Sequence, residues 1–419
     1  MPGPTDLLNA TRRTNLAMLA DVQPAPPDPI LGLTEAYRAD PREGKVNLGV
    51  GVYCDEHGKT PVLDAVRQAE RVLAETQTTK SYLPIDGDPG YHQAVRDLLL
   101  GPERDAQLGD RVRVCATPGG TGGLRVAGDL IHAAFPDAKL WLSTPTWPNH
   151  PAVFAAAGLT TRNYRYFDAG SNALDFDGMM ADLEQAADGD AILLHGCCHN
   201  PTGVDPSPDQ WAAIAAFLAN RRVLPVIDLA YQGFGTGLDD DAAGVHAVLD
   251  ACPDALVVCS YSKNFSLYRE RAGAVVLMAE SADAARDAMS RMKQGVRRIY
   301  SNPPAHGGDI VRTILKTPAL RDQWTAELDA MRSRINDTRA GLTRGLDERG
   351  VALSPDGNAF IDRQSGMFTL TGLTKDQVRA LRERHAIYAV DSGRINVAGI
   401  TPDRLDAVCE AIGDAVGNG

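Results

Sequence analysis

The chain has 419 residues, of which 44 % are hydrophobic and 23 % charged. These values suit two or three globular domains, or one large domain with a satellite, and exclude disorder, collagen and coiled coil as global descriptions. Lys and Arg total 42 against 54 Asp and Glu, a net charge of −12. Such a chain is poorly matched to nucleic-acid backbones or anionic membranes. Any anion it binds must be held by a few placed Arg, Lys or backbone N–H groups.

The N-terminus lacks the continuous apolar core of a secretory signal. Arg12 and Arg13 would suit a transit peptide and Asp6 would not; the plainer reading of 1–17 is a disordered extension, or an upstream start ahead of Met18. Gln23 to Pro29 reads as a proline-stiffened arm. No apolar run approaches the roughly 18–20 residues that span a bilayer. The seven cysteines (54, 115, 197, 198, 252, 259 and 409) are odd in number and irregularly spaced. That is no disulfide framework and points to a reducing cytoplasm.

From about Arg111 to Ala279 short apolar runs alternate with amphipathic segments. Strands are expected at Val112–Cys115, Leu140–Ser143, Thr161–Tyr166, Ala191–His195, Leu224–Leu229, Leu256–Ser260 and Ala274–Met278. Helices are expected between them at Leu124–Phe135, Ala152–Ala157, Asp177–Ala186, Pro208–Ala219 and Ala243–Asp250. This alternation predicts an α/β fold with a mostly parallel sheet. Beyond Asp309, helices at Ile310–Leu315 and Trp324–Gly345 lead into a smaller α+β unit. Its expected strands are Ala359–Asp362, Met367–Leu370, Ala386–Val390 and Arg394–Val397, and its helices Lys375–Glu383 and Pro402–Val416.

In parallel α/β sheets, ligands sit beyond the carboxyl ends of the strands. After the first strand, Thr117-Pro-Gly-Gly-Thr-Gly-Gly123 opens a helix, an arrangement that suits a phosphate; a plain tight turn explains the glycines equally well. Trp147 follows the second strand and could stack on a planar ligand or simply fill the core. His195, Cys197, Cys198 and His199 invite a zinc reading, but adjacent cysteines cannot easily face one metal, so no metal is expected. Asn200, in Asn-Pro-Thr-Gly203, could aim its amide at a ligand. Asp228 ends another strand among apolar residues and needs a cation or donors. Lys263, in Ser260-Tyr-Ser-Lys263-Asn-Phe, is either an ordinary surface lysine or one that desolvation and a nearby cation would free for Schiff-base chemistry. A phosphate cradle, a stacking ring, an amide, a buried acid and a lysine together match the needs of pyridoxal 5′-phosphate.

Long runs carry a family resemblance. They include Asn47-Leu-Gly-Val-Gly-Val-Tyr53, Ser81-Tyr-Leu-Pro-Ile-Asp-Gly87, Trp147-Pro-Asn-His150, Asp228-Leu-Ala-Tyr231, Tyr300-Ser-Asn-Pro-Pro-Ala-His-Gly307 and Ser392-Gly-Arg-Ile-Asn-Val-Ala-Gly399, besides the motifs above. Over residues 28–416 the chain resembles the class I, fold-type I aminotransferases of the aspartate/aromatic branch. The resemblance implies a large domain with a mostly parallel seven-stranded sheet (62–330), a small domain (28–61 and 331–419) and an N-terminal arm (1–27). It also implies a homodimer with shared active sites.

Carried over residue by residue, the resemblance implies that Lys263 bonds the cofactor and then shuttles the substrate's Cα proton. Asp228, backed by His150, keeps the cofactor's ring nitrogen protonated. Tyr231 and Asn200 bond its ring oxygen, and Trp147 stacks on it. Gly120, Thr121, Ser260 and Arg271 take the phosphate, with Tyr82 of a partner subunit. Gly51, Trp147 and Asn200 border the substrate; Arg394 takes its α-carboxylate, and a partner's Arg297 the side-chain carboxylate. Two arginines make chemical sense: amino acid and keto acid share one carboxylate, and aspartate and glutamate add a second.

Val52, Thr60, Thr121 and Asn302 look aspartate-like, whereas Cys54 and Ser81 match neither branch, and a cation missing at 54 would loosen dicarboxylate preference. The expected activity is therefore transamination between aspartate and 2-oxoglutarate, giving oxaloacetate and glutamate, with an aromatic or broad aspartate/aromatic enzyme as the alternative. A non-catalytic regulator on this fold would carry a helix-turn-helix, for which 1–27 is too short.

Overall fold

Seven strands form one sheet: β1 (Val112–Pro118), β2 (Lys139–Thr144), β3 (Thr160–Arg165), β4 (Ala191–His195), β5 (Leu224–Leu229), β6 (Ala255–Ser260) and β7 (Ala272–Met278). Their order is β1-β7-β6-β5-β4-β2-β3. β7 runs antiparallel to both neighbours, and the other neighbours pair in parallel. Strands β4, β6 and β7 are buried along their whole length, which is why their sequences run apolar without alternation. The edge strand β3 buries only Tyr164. The computed structural model describes residues 18–24 and 31–417. The expectations for 1–17, and for 25–29 of the proline-rich arm, lie outside them.

Helices fill the crossovers. Pro208–Ala219 starts with a capping box, Ser207 and Gln210 bonding each other's backbone N–H, and with Pro208 in its first turn, a local signal strong enough to fix its start. Three amphipathic helices fall where the sequence reading named none: Asp64–Thr76, Pro89–Leu108 and Ala282–Ile299. The last turns Ala285, Met289, Met292 and Val296 inward, a spacing of three and four that marks one helix face. Pro89–Leu108 is broken at Gly101, whose φ of 70° precedes Pro102.

The 30-residue helix Pro318–Asp347 joins the sheet to a smaller unit. Near its start Trp324 stacks on Phe265 at 4.3 Å and donates to the Asn264 carbonyl. Its later turns pack on the helix Leu405–Gly417. In the smaller unit β8 (Phe368–Leu370) pairs antiparallel with β9 (Arg394–Asn396), aligning Leu370 with Arg394. Val46–Asn47 pairs in parallel with Ile387–Tyr388. The run Ala359–Asp362, expected as a strand, is instead the short helix Ala359–Arg363. Phe360 and Ile361 are both buried within this helical turn. Asn358 fixes the turn ahead of it, bonding Leu353 N, the Val351 carbonyl and Asp347. Among the described residues no helix is long and apolar enough to cross a membrane.

Candidate active site

Beyond the carboxyl ends of β1, β4, β5 and β6 lies a cavity of about 470 Å³. Its walls include Gly51, Gly120, Thr121, Trp147, Asn200, Asp228, Tyr231, Ser260, Lys263, Arg271 and Arg394, so eleven of the fourteen predicted site residues meet there. His150 lies just behind, fully buried.

At one end the helix Gly119–Ala134 points its first N–H groups and positive dipole end toward the cavity mouth of β1. A Cβ on Gly119 (φ +71°) would come within 2.6 Å of the Arg271 guanidinium, and one on Gly273 within 2.6 Å of the Gly119 backbone. Only glycine lets these chains approach so closely. Ser260 and Ser262 hydroxyls lie 3.3 Å apart, and Arg271 Nη1 donates to Ser262 at 3.4 Å. Two hydroxyls, a guanidinium and a helix N-terminus form a cradle for a dianionic phosphate.

At the floor, Asp228 pairs across β4–β5 with His195 and accepts a hydrogen bond from His150 Nε2 at 3.0 Å. Burial would raise its pKa, but the hydrogen bond and attraction of His150 outweigh it and hold the carboxyl below its ordinary value. Asp228 is therefore an anion beneath the cavity. The Thr146 hydroxyl links His150 Nδ1 (2.8 Å) to His195 Nε2 (3.2 Å). Burial and the neighbouring His150 push His195 down to about 3, so it is neutral near pH 7. Lys263 Nζ lies 4.8 Å from the Tyr231 ring centroid and has no hydrogen bond to any described residue. Its pKa is lowered by burial and by Arg271, against the pull of Asp228. That combination favours a free amine.

At the other end Arg394, 3 % exposed, donates to Asn200 Oδ1 (3.2 Å) and to the Gly49 carbonyl (2.5 Å). Its guanidinium lies 4.3 Å over the Phe368 ring. Each of Nη1 and Nη2 keeps a second N–H beyond these two bonds. Asn200 Nδ2 donates to the Tyr231 hydroxyl at 3.5 Å. The cavity thus offers an amine nucleophile, a buried carboxylate, an aromatic wall and an anion cradle, in an order that fits pyridoxal 5′-phosphate, with a guanidinium left for a carboxylate.

Two predicted residues do not reach this cavity. Tyr82 is 93 % exposed. Arg297 is exposed on the helix Ala282–Ile299 and donates to Ser301 Oγ. Cys54 faces a neighbouring cavity of about 930 Å³ together with Val52 and Thr60. Exposed Ser81 bonds Thr79. The thiols of Cys197 and Cys198 lie near Asp241 rather than near the histidines. Asp241 is committed to the N–H groups of Gly233, Gly235 and Thr236. Against its lowering hydrogen bond to Cys197, burial pushes Cys198 up to about 11.

Sequence reasoning passed over Leu124, Ala230, Ser262, Tyr268 and Phe368, which also line the cavity, and weighed His195 only as a metal ligand. Ser262 adjoins Lys263, and Phe368 lies in Gly366-Met-Phe368 at the start of an expected strand; both signals were available. Tyr268 carried none: its hydroxyl accepts from Tyr53 N, 215 residues away.

The family model for aminotransferase class I and II matches residues 43–412. An aspartate aminotransferase of Salmonella typhi is 50 % identical over 396 residues, 94 % of this chain and 99 % of that one. An aromatic-amino-acid aminotransferase of Pseudomonas aeruginosa is 46 % identical, over 95 % of this chain and 98 % of that one. The crystal structure of an aromatic-amino-acid aminotransferase from Burkholderia pseudomallei, covalently bound to pyridoxal phosphate, superposes with a TM-score of 0.92. It is 45 % identical, over 95 % of this chain and 99 % of that one.

Proposed function

The chain belongs to the class I and II aminotransferase family, and from that premise we propose that it moves the amino group of L-aspartate to 2-oxoglutarate with pyridoxal phosphate as cofactor. The observation that carries the reading is the buried guanidinium of Arg394, in one cavity with Lys263 and Asp228. When bound, pyridoxal phosphate supplies the carbonyl that takes the amino group and an electron sink for the bond broken at Cα.

The protein's groups do the rest. Lys263, with its amine poised by desolvation, holds the cofactor and then takes and returns the Cα proton of the substrate. Asp228, kept anionic by His150, holds a proton on the ring nitrogen. Tyr231 and Asn200 bond the ring oxygen, and Trp147 walls one ring face. Gly120, Thr121, Ser260 and Arg271 hold the phosphate. Arg394 takes the α-carboxylate that every substrate keeps. Gly51, whose Cβ would meet the Phe368 ring at 3.0 Å, leaves room beside it.

A dicarboxylate needs a second cation, and Arg297 lies outside its own protomer's cavity. We therefore propose a homodimer in which Tyr82 and Arg297 complete the partner's site. Residues 62–330 would form the cofactor domain, 28–61 and 331–419 the small domain, and 1–27 an arm. The cytoplasm is the compartment that best suits seven unpaired cysteines. An aromatic or broad aspartate/aromatic preference is the second reading, favoured by the relatives of that name and by Cys54.

Rates of oxaloacetate and phenylpyruvate formation, with 2-oxoglutarate as acceptor, test both. A kcat/KM for aspartate about a hundredfold above that for phenylalanine, roughly 2.7 kcal/mol in transition-state binding, supports the first reading. Comparable values support the second, and no amino transfer overturns both.

A further inference from the structure

Outside the cavity, one buried cation lacks an acidic partner. Arg339, in the middle of the helix Pro318–Asp347, is 2 % exposed and forms no ion pair among the described residues. An unpaired buried charge is among the costliest groups to keep unless several acceptors meet it. Here four do: Nη1 donates to the Ile361 carbonyl (3.1 Å) and Thr369 Oγ1 (2.5 Å), and Nη2 to the Gly366 (2.6 Å) and Phe368 (3.1 Å) carbonyls. Three of the four belong to the turn and strand that carry Phe368.

The opposite side of that turn is clasped as tightly. Ser365 N donates to the Gly203 carbonyl at 2.6 Å. A Cβ on Gly203 would strike the Phe368 carbonyl at 2.8 Å, and one on Gly366 the Cys198 side chain at 2.5 Å. The turn is thus held between the Arg339 guanidinium and the loop 198–203. From one side it presents the Phe368 ring under Arg394; from the other it abuts the loop whose Asn200 accepts from Arg394.

We propose that Arg339 is a positioning residue for carboxylate recognition, fixing through the Gly366–Thr369 backbone the ring and the amide that aim Arg394. The proposal rests on the reading of Arg394 as the carboxylate-binding group.

The test is the dissociation constant of the cofactor-loaded protein for succinate, a dicarboxylate without an amino group, measured beside its affinity for pyridoxal phosphate and its Tm. Arg339→Met is expected to weaken succinate binding by about tenfold or more, with cofactor affinity unchanged within about twofold. Arg339→Lys, which keeps the charge with fewer fixed donors, is expected to recover part of that loss. Thr369→Val, which removes one acceptor and leaves the cation, is expected to weaken succinate by about threefold and decides the question if Arg339→Met does not fold. A lower Tm with succinate binding unchanged in these variants would make Arg339 merely structural and overturn the proposal, as would equal losses of succinate and cofactor affinity. Arg394→Lys separates the two levels. If it too leaves succinate binding unchanged, the carboxylate reading fails; if it alone weakens binding, only the role of Arg339 fails.

Discussion

Arg394→Lys keeps the positive charge and removes the fork, so it measures geometry rather than charge. The wild-type guanidinium spends one donor on Asn200 and one on Gly49, leaving a second N–H on each of Nη1 and Nη2 for a carboxylate. A lysine ammonium has three donors on one atom. If it still serves Asn200 and Gly49, a single donor remains for substrate and one charge-assisted hydrogen bond is lost. That costs about 1.5–3 kcal/mol, or roughly tenfold to a hundredfold in kcat/KM. The bond is made equally before and during the chemistry, so most of the loss belongs in KM. Because every amino and keto acid substrate carries the α-carboxylate, aspartate and phenylalanine should lose by the same factor, within about threefold. Steady-state rates for both amino acids over a range of concentrations measure this directly. A loss below about threefold, or one confined to aspartate, would refute the assignment of Arg394 to the shared carboxylate.

Lys263→Ala should abolish transamination while leaving Tm and cofactor-phosphate binding near those of the parent; turnover like the wild type would remove Lys263 from the proton transfer. Arg297→Ala should cut kcat/KM for aspartate by at least about tenfold and leave phenylalanine within about threefold, since only the dicarboxylate needs a second cation; equal losses would argue against a side-chain role. In acid the buried histidines set the trend. His195, lowered to about 3, refuses below pH 6.5 a proton that the unfolded chain accepts, so its contribution to stability is present above 6.5 and lost as pH falls; His199 acts in the same sense. Asp205, raised to about 6 by burial, opposes them, because the folded chain keeps its proton over pH 3.8–6 where the unfolded chain releases it. From pH 7 to 5 His195 costs about 2 kcal/mol and Asp205 returns about 1 kcal/mol, with His199 adding to the loss. Urea unfolding of the cofactor-free protein should therefore show lower stability at pH 5, and His195→Asn should shrink the difference by about 2 kcal/mol; an unchanged difference would refute the linkage.

Much of the sheet was legible because burial on both faces writes itself as continuous apolar sequence. Leu224–Leu229 coincides with β5 and Ala191–His195 with β4. The residues that follow those strands met in one cavity because parallel strands deliver their carboxyl ends to one edge. The misread segment failed for a local reason. Phe360 and Ile361 favour strands, yet the Asn358 side chain closes a turn that puts both inside, and tertiary packing overrides propensity. Tyr268 and Arg339 were illegible because their work depends on partners far away in sequence, Tyr53 and the turn at Gly366.

What the sequence shows least well is how the two ends of the cavity are tied together, and that decides specificity. The cradle at Gly119 and Arg271 and the acid at Asp228 belong to the large sheet. Arg394 belongs to β9 in the smaller unit and reaches Asn200 across that boundary. Binding energy spent on a carboxylate at Arg394 is therefore spent on holding the smaller unit against the sheet, through Asn200 on one side and the Phe368 turn on the other. A substrate that lacks the carboxylate loses this tie as well as an ion pair. Selection among amino acids then falls to groups beyond Arg394. In one protomer these are the aromatic wall of Trp147, Tyr231 and Phe368; on the proposed reading an aspartate preference draws on exposed Arg297 from a second chain. Substrate preference and dimerisation are on this account one question, and a dilution series following the aspartate-to-phenylalanine rate ratio addresses both. If the dimer supplies Arg297, the ratio falls as the dimer dissociates, and a ratio independent of protein concentration through dissociation would refute it.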